Sequence, residues 1–200
     1  MNAPHALKSN QASCPSTVKR TDWQEWADGP LLSGRPDVRD ARLLEFLEGW
    51  LSFRGGRLMP RRRDVQPMTF PRLLSMSYIY ERIDDGKSFR CVLAGEEIHF
   101  AWGRPIQGSD VRDTFSAEDL PRVMQRWNRA LDEPSMLFGR HILPGTHKSV
   151  ERLLAPLSDD AGRPCFLIGV TVYRRAETEV DSATTPTPKA HFHNLTTLDA

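Results

Sequence analysis

Apolar positions in the first third of the chain recur with a helical period. Leu43, Leu44, Leu47, Trp50 and Leu51 follow i, i+1, i+4, i+7 and i+8, and Phe46 and Phe53 widen that stripe. Residues 37–54 are therefore predicted as an amphipathic helix, capped by Asp37 or Asp40 and stopped by Gly55-Gly56. From Met76 the period changes to two. Met76–Ile83 and Ser88–Ala94 read as strands joined by the turn Asp84-Asp85-Gly86-Lys87, with Phe89, Cys91 and Leu93 on one face. Residues 96–115 break into short helical pieces at Gly103, Pro105 and Gly108.

A second helical stripe follows in Leu120, Val123, Met124, Trp127 and Leu131. Ser116-Ala-Glu-Asp119 resembles a capping box at its start, Pro121 falls in the opening turn where proline is tolerated, and Pro134 closes it. Three strand-like runs complete the pattern: Met136–Leu143, Ser149–Leu157 and Cys165–Arg174, separated by the turn-rich Pro144–His147 and Ser158–Pro164. The last run is apolar on both faces, as a central strand is. The order is helix, two strands, short helices, one longer helix, three strands. It predicts an α+β domain with a five-stranded antiparallel sheet, both helical stripes closing over one face.

The ends carry no such pattern. Residues 1–20 are polar and aperiodic, and Trp23 and Trp26 precede the breakers Gly29-Pro30 and Gly34-Arg35-Pro36, so residues 1–36 read as a flexible segment. Residues 176–200, with Thr-Thr-Pro-Thr-Pro, read as a disordered tail. The domain is bounded at 37–175.

Composition narrows the function classes. Hydrophobic residues make up 39% and charged residues 26%, enough for a real core. Lys and Arg number 27 against 26 Asp and Glu, a net charge of +1, which is not the profile of a dedicated nucleic-acid binder. Arg57, Arg61, Arg62 and Arg63 form a basic cluster too short to change that expectation. No 18-residue apolar run and no secretory signal is present, so a cytoplasmic location is expected. Three cysteines without a C-x-x-C spacing, Cys14, Cys91 and Cys165, predict neither a disulfide framework nor a zinc site. Common catalytic motifs are missing as well. Glu96-Glu97 beside His99 is the nearest approach to an acid–base pair, and no enzyme is expected from it. The enzyme alternative, a small α+β isomerase or hydrolase, needs a deep polar cavity holding a carboxylate or histidine.

The element order and several stretches resemble the PAS domain. Phe89-Arg-Cys-Val-Leu-Ala-Gly95 followed by Ala101-Trp-Gly-Arg-Pro-Ile-Gln-Gly108 resembles its second strand and the glycine-bounded stretch before its central helices. Phe115-Ser-Ala-Glu-Asp119 resembles the box that opens its long helix, with Ser116-Ala117 in place of His-Pro. Leu143-Pro-Gly-Thr146 and Leu157-Ser-Asp-Asp-Ala-Gly-Arg163 resemble its last two hairpin turns. Arg54-Gly-Gly-Arg-Leu-Met-Pro60, Asp64-Val-Gln-Pro67 and Phe70-Pro-Arg-Leu-Leu74 are similar to the opening signature of a bacterial family of stand-alone PAS proteins. The resemblance spans roughly Arg39 to Tyr173.

It implies a cavity between sheet and helices as the sensing site. Phe89, Cys91, Phe100, Trp102 and Trp127 are the candidate apolar lining, with Tyr78, Tyr80, Arg140 and His141 as candidate polar handles. The alternative is that these aromatics simply fill the core. No cofactor is expected. Haem-binding relatives present a histidine from the long helix, and residues 117–133 contain none; the flavin-adduct motif needs a cysteine where Gly103-Arg-Pro-Ile-Gln107 has none. A flavin held without an adduct is left open. The function implied is regulation through protein–protein contact, by self-association as a homodimer or with a signalling partner, with gating by a small organic ligand left open. A ligand-sensing domain with an occupied cavity is the alternative. The candidate interface is the leading helix face of Leu43, Phe46, Leu47, Trp50 and Phe53, whose other use is to cover its own sheet. Only 27 residues follow Tyr173, so an output domain on the same chain is not expected.

Overall fold

A computed structural model describes residues 29–65, 70–142, 148–175 and 190–199; the side chains of 141, 142, 148 and 175 are outside that description. The segments 1–28 and 176–189, the turn signal Pro144–His147 and Pro67 lie outside the described residues.

The leading helix, α1, runs Ala41–Arg54. Asp40 rather than Asp37 caps it, its carboxylate accepting from the Arg42 backbone N–H at 2.8 Å. Gly55 ends it in the left-handed region at φ 55°, where a side chain is strained. Strands β2 (Ser77–Ile83) and β3 (Ser88–Ala94) form the expected hairpin. Then come α2 (Glu96–Ala101), α3 (Val111–Thr114) and the longer α4 (Leu120–Asp132). Strands β4 (Ser135–Ile142), β5 (Lys148–Ser158) and β6 (Pro164–Arg175) follow. These five strands pair antiparallel in the order β3-β2-β6-β5-β4.

Two further strands extend the sheet at the β4 edge. Strand β7 (Ala190–Asn194) pairs antiparallel with β4, and β1 (Leu31–Leu32) pairs parallel with β7, giving seven strands. This corrects the expected loose ends within residues 29–36 and 190–199. Phe192, Leu195 and Leu198 are fully buried. Gly34 N–H donates to Thr197 Oγ1 at 2.9 Å, and Arg35 Nε donates to the Leu198 carbonyl at 3.0 Å. An added strand satisfies the open N–H and C=O groups of the β4 edge.

The two helical stripes lie on opposite faces of the sheet, not on one. α1 buries Leu43, Phe46, Leu47 and Trp50 against Ile79, Leu153, Ala155, Ile168 and Val170. The other helices bury Ile98, Val111, Trp127 and Leu131 against Tyr78, Phe89, Leu154 and Leu167. The reason is visible in β6, where Leu167 points to one layer while Ile168 and Val170 point to the other. A strand apolar on both faces needs both faces covered. The end of α4 is tied to β2 by a buried ion pair, Arg82 Nη1 to Asp132 Oδ1 at 2.7 Å. No helix among the described residues is long and apolar enough to cross a membrane.

Candidate functional site

The face covered by α2, α3 and α4 holds a cleft lined by aromatic rings. Alternation along β2 points Tyr78 and Tyr80 toward these helices and Ile79 toward α1. The β2–β3 register shifts between Ile79 and Tyr80, with Val92 the extra residue on β3, so Leu93 turns to the α1 layer and does not share a face with Phe89 and Cys91 as the sequence pattern predicts. From β3, Phe89 and Cys91 join the same layer. Trp127 descends from α4, its ring centroid 4.5 Å from Tyr80 and edge-on to Phe89 at 5.2 Å. Phe115 lies 5.9 Å from Trp127 and 4.8 Å from Trp102.

The rings leave two adjoining hollows that share Tyr78, Phe115, Trp127 and Arg152 in their walls. The larger, about 70 Å³, is completed by Val123, Arg126, Leu137, Gly139, Leu154 and Ala190. The smaller, about 40 Å³, is completed by Tyr80, Ile98, Trp102, Thr171 and Tyr173. A water needs roughly 10–15 Å³ of such space, so the pair suits an occupant of small-molecule size. On the α1 face a gap beside Val65, Phe70 and Ile168 is about 20 Å³ and apolar.

Arg152 is the charged group common to both hollows. It sits mid-strand on β5, half-buried, between Gly139 of β4 and Thr171 of β6. Its Nε is buried and has no hydrogen-bond partner, and among the described residues no ion pair reaches it. Burial pushes the Cys91 thiol up to about 11, so it stays neutral near pH 7. The Tyr80 and Tyr173 hydroxyls are also raised above the ordinary tyrosine value, chiefly by burial, with Arg152 pulling both the other way. Among the described residues no three His, Cys, Asp or Glu side chains gather as a metal site would need.

Of the candidate lining residues, Tyr78, Tyr80, Phe89, Cys91, Trp102 and Trp127 come together in one layer. Phe100 does not: it is 84% exposed. Ile98 of α2 and Trp102, which caps it, face inward, and Phe100, two residues from each, projects to the opposite side at 3.6 residues per turn. Arg140 is also misplaced. It falls in phase with Met136 and Phe138, on the α1 face, and its Nε pairs with Glu151 there at 2.8 Å. The side chain of His141 is outside the described residues.

The candidate interface is likewise spent. Leu43, Phe46, Leu47 and Trp50 are at most 1% exposed, and the Trp50 indole donates to the Pro156 carbonyl at 3.2 Å. Phe53 is half-buried, edge-on to Phe70 at 5.6 Å. The stripe covers its own sheet. Within the basic cluster, Arg57 pairs with Asp64 at 2.6 Å and Arg63 with Asp160 at 3.3 Å.

Sequence reasoning missed Arg152, Phe115, Thr171 and Tyr173. One signal was available for Arg152: it is a cation set between the in-phase apolar residues Val150 and Leu154.

A family match agrees with this architecture. A family model described as a PAS domain matches residues 38–172, more than half of the 200. Among solved structures, the PAS domain from Bordetella pertussis BvgS is similar, at 20% identity and a TM-score of 0.39, over 56% of this chain and 90% of that one. No curated protein matches the chain.

Proposed function

The chain belongs to the PAS-domain family, and from that premise we propose that it is a regulatory sensor whose input is a small organic molecule held in the aromatic cleft. PAS domains generally sense and relay rather than catalyse. The observation that carries the reading is the asymmetry between the two cores. The α1 face keeps only a small apolar gap of about 20 Å³ beside Phe70, whereas the helical face keeps two adjoining hollows, about 70 and 40 Å³, around Tyr78, Trp127 and Arg152. A concave, mostly apolar site with a few convergent polar groups is the usual form of a ligand pocket. Its volume favours a compact ligand over a haem or a flavin.

The output in this reading is contact with a second chain, a signalling partner or another copy. The burial of Leu43, Phe46, Leu47 and Trp50 against the chain's own sheet favours a contact surface elsewhere on the molecule.

A fragment panel of neutral and charged small molecules tests the input, with melting temperature as the readout. Val123 lines the larger hollow from α4, and Val123→Trp fills it. The expected result is a saturable rise in melting temperature for some fragments in the wild type, lost in Val123→Trp. Fragments that stabilise neither protein, or both equally, contradict a cleft ligand. Sedimentation with and without the best fragment then reads whether occupancy changes association.

A further inference from the structure

We propose that the cleft is selective for a small organic acid, its carboxylate held by Arg152 and its apolar body laid among Trp127, Tyr78 and Phe115. This rests on the cleft being a ligand site and names the ligand class. The argument begins with the cost of the cation. A guanidinium withdrawn from water is expensive unless ion-paired and hydrogen-bonded. Arg152 is half-buried, its Nε is unpartnered, and among the described residues no carboxylate pairs with it.

Other buried arginines of this chain are compensated. Arg82, whose Nε is likewise unpartnered, still has Asp132 at 2.7 Å and the Pro164 carbonyl at 3.1 Å, and Arg54 has the Leu195 carbonyl and Asp199. Arg129 has Glu133 at 3.4 Å, the Gly29 carbonyl at 3.0 Å and the face of Phe192. Arg152 differs from these in having no carboxylate paired with it among the described residues, and it is the one placed in both hollows.

The surroundings specify the rest of the ligand. Gly139, directly across on β4, contributes no side chain beside the guanidinium, so the approach is open on that side. Thr171 on the other flank offers a hydroxyl. A planar guanidinium matches a carboxylate through two parallel hydrogen bonds, and aromatic walls match a flat or short apolar body. An acid supplies the missing countercharge and fills the hollow in one step, whereas a neutral analogue fills it and leaves the cation unpaired.

The test compares acids with neutral isosteres: benzoate against benzamide, and hexanoate against hexanamide, by calorimetry and melting temperature. The expected result is saturable binding of the acids, at least tenfold tighter than their amides. Arg152→Gln should erase the difference between acid and amide, and Arg152→Lys should restore only part of it. Acids that bind no better than amides, or that bind Arg152→Gln as well as wild type, overturn the proposal. If the variants fail to fold, the acid–amide ratio in the wild type still decides it, together with Val123→Trp as a block of the same cleft. Binding of amides alone overturns acid selectivity while leaving a sensing cleft. Binding of neither class, with the wider fragment panel also silent, overturns both.

Discussion

At the scale of single residues, side chains with unusual burial give the sharpest expectations. Asp40 is 1% exposed, and its carboxylate receives the Arg42 backbone and guanidinium and the Arg174 guanidinium. Burial alone would raise its pKa, but those hydrogen bonds outweigh burial and hold the carboxyl well below the usual carboxylate range. A depressed folded pKa contributes stability that is present above the unfolded value, about 3.9, and lost as pH falls through the folded one. Asp40→Asn should therefore cost roughly 1.5–3 kcal/mol at neutral pH, in line with hydrogen bonds to charged groups. That gap should narrow from about pH 4 downward. Urea unfolding at pH 7 and pH 3 measures it, and an equal gap at both would contradict the assignment. Gly169 makes a second case. A Cβ there would press on the Tyr78 Cζ, hydroxyl and Cε2, which close over that point of β6. Gly169→Ala should cost about 1–3 kcal/mol by overpacking and displace Tyr78, one wall of the cleft. Melting temperature and tyrosine fluorescence read the two effects separately.

Among the elements, α1 and β7 show what sequence pattern can and cannot carry. The α1 stripe was legible because Leu43, Leu47, Trp50 and Leu51 repeat over several turns. What it covers was not legible, because a buried helix face and a dimer face have the same period. Since Trp50 is sealed against its own sheet, Trp50→Ala should remove about 3–5 kcal/mol of folding stability. Loss of self-association with stability intact, read by sedimentation and urea unfolding, would instead restore the interface role. β7 was invisible for the opposite reason. It has five residues, His191 and His193 interrupt its apolar content, and a proline-rich stretch precedes it. Its anchor is Phe192, fully buried with the Arg129 guanidinium 4.1 Å from its ring centroid. In Phe192→Ala, native-state hydrogen exchange should accelerate across β7 and its partner β1 first, while the central β2 and β6 amides stay protected. Uniform loss of protection would show that β7 is integral to the core rather than an added edge.

For the whole molecule, the sheet separates two interiors of different character. The five-strand antiparallel core and its intervening helices were legible because alternation and helical period agree along the chain. The cleft was legible only in part. Tyr78, Tyr80, Trp102 and Trp127 line it, Phe89 and Cys91 share its layer without lining either hollow, and Phe100 and Arg140 fell on the wrong sides. A six-residue helix fixes no reliable phase, and β4 carries apolar residues on both faces. Arg152 needed the three-dimensional fact that its row faces the helices.

The tryptophans provide the most direct test of the central claim, because Trp102 and Trp127 lie on the cleft face and Trp50 lies on the other. Their indole N–H signals in a nitrogen-15 correlation spectrum can be followed while benzoate, and separately benzamide, is added to the full chain. A ligand-sensing cleft predicts that the Trp102 and Trp127 signals move to saturation with at least one of the two while Trp50 stays fixed. Stationary signals throughout, or Trp50 moving in their place, would contradict it.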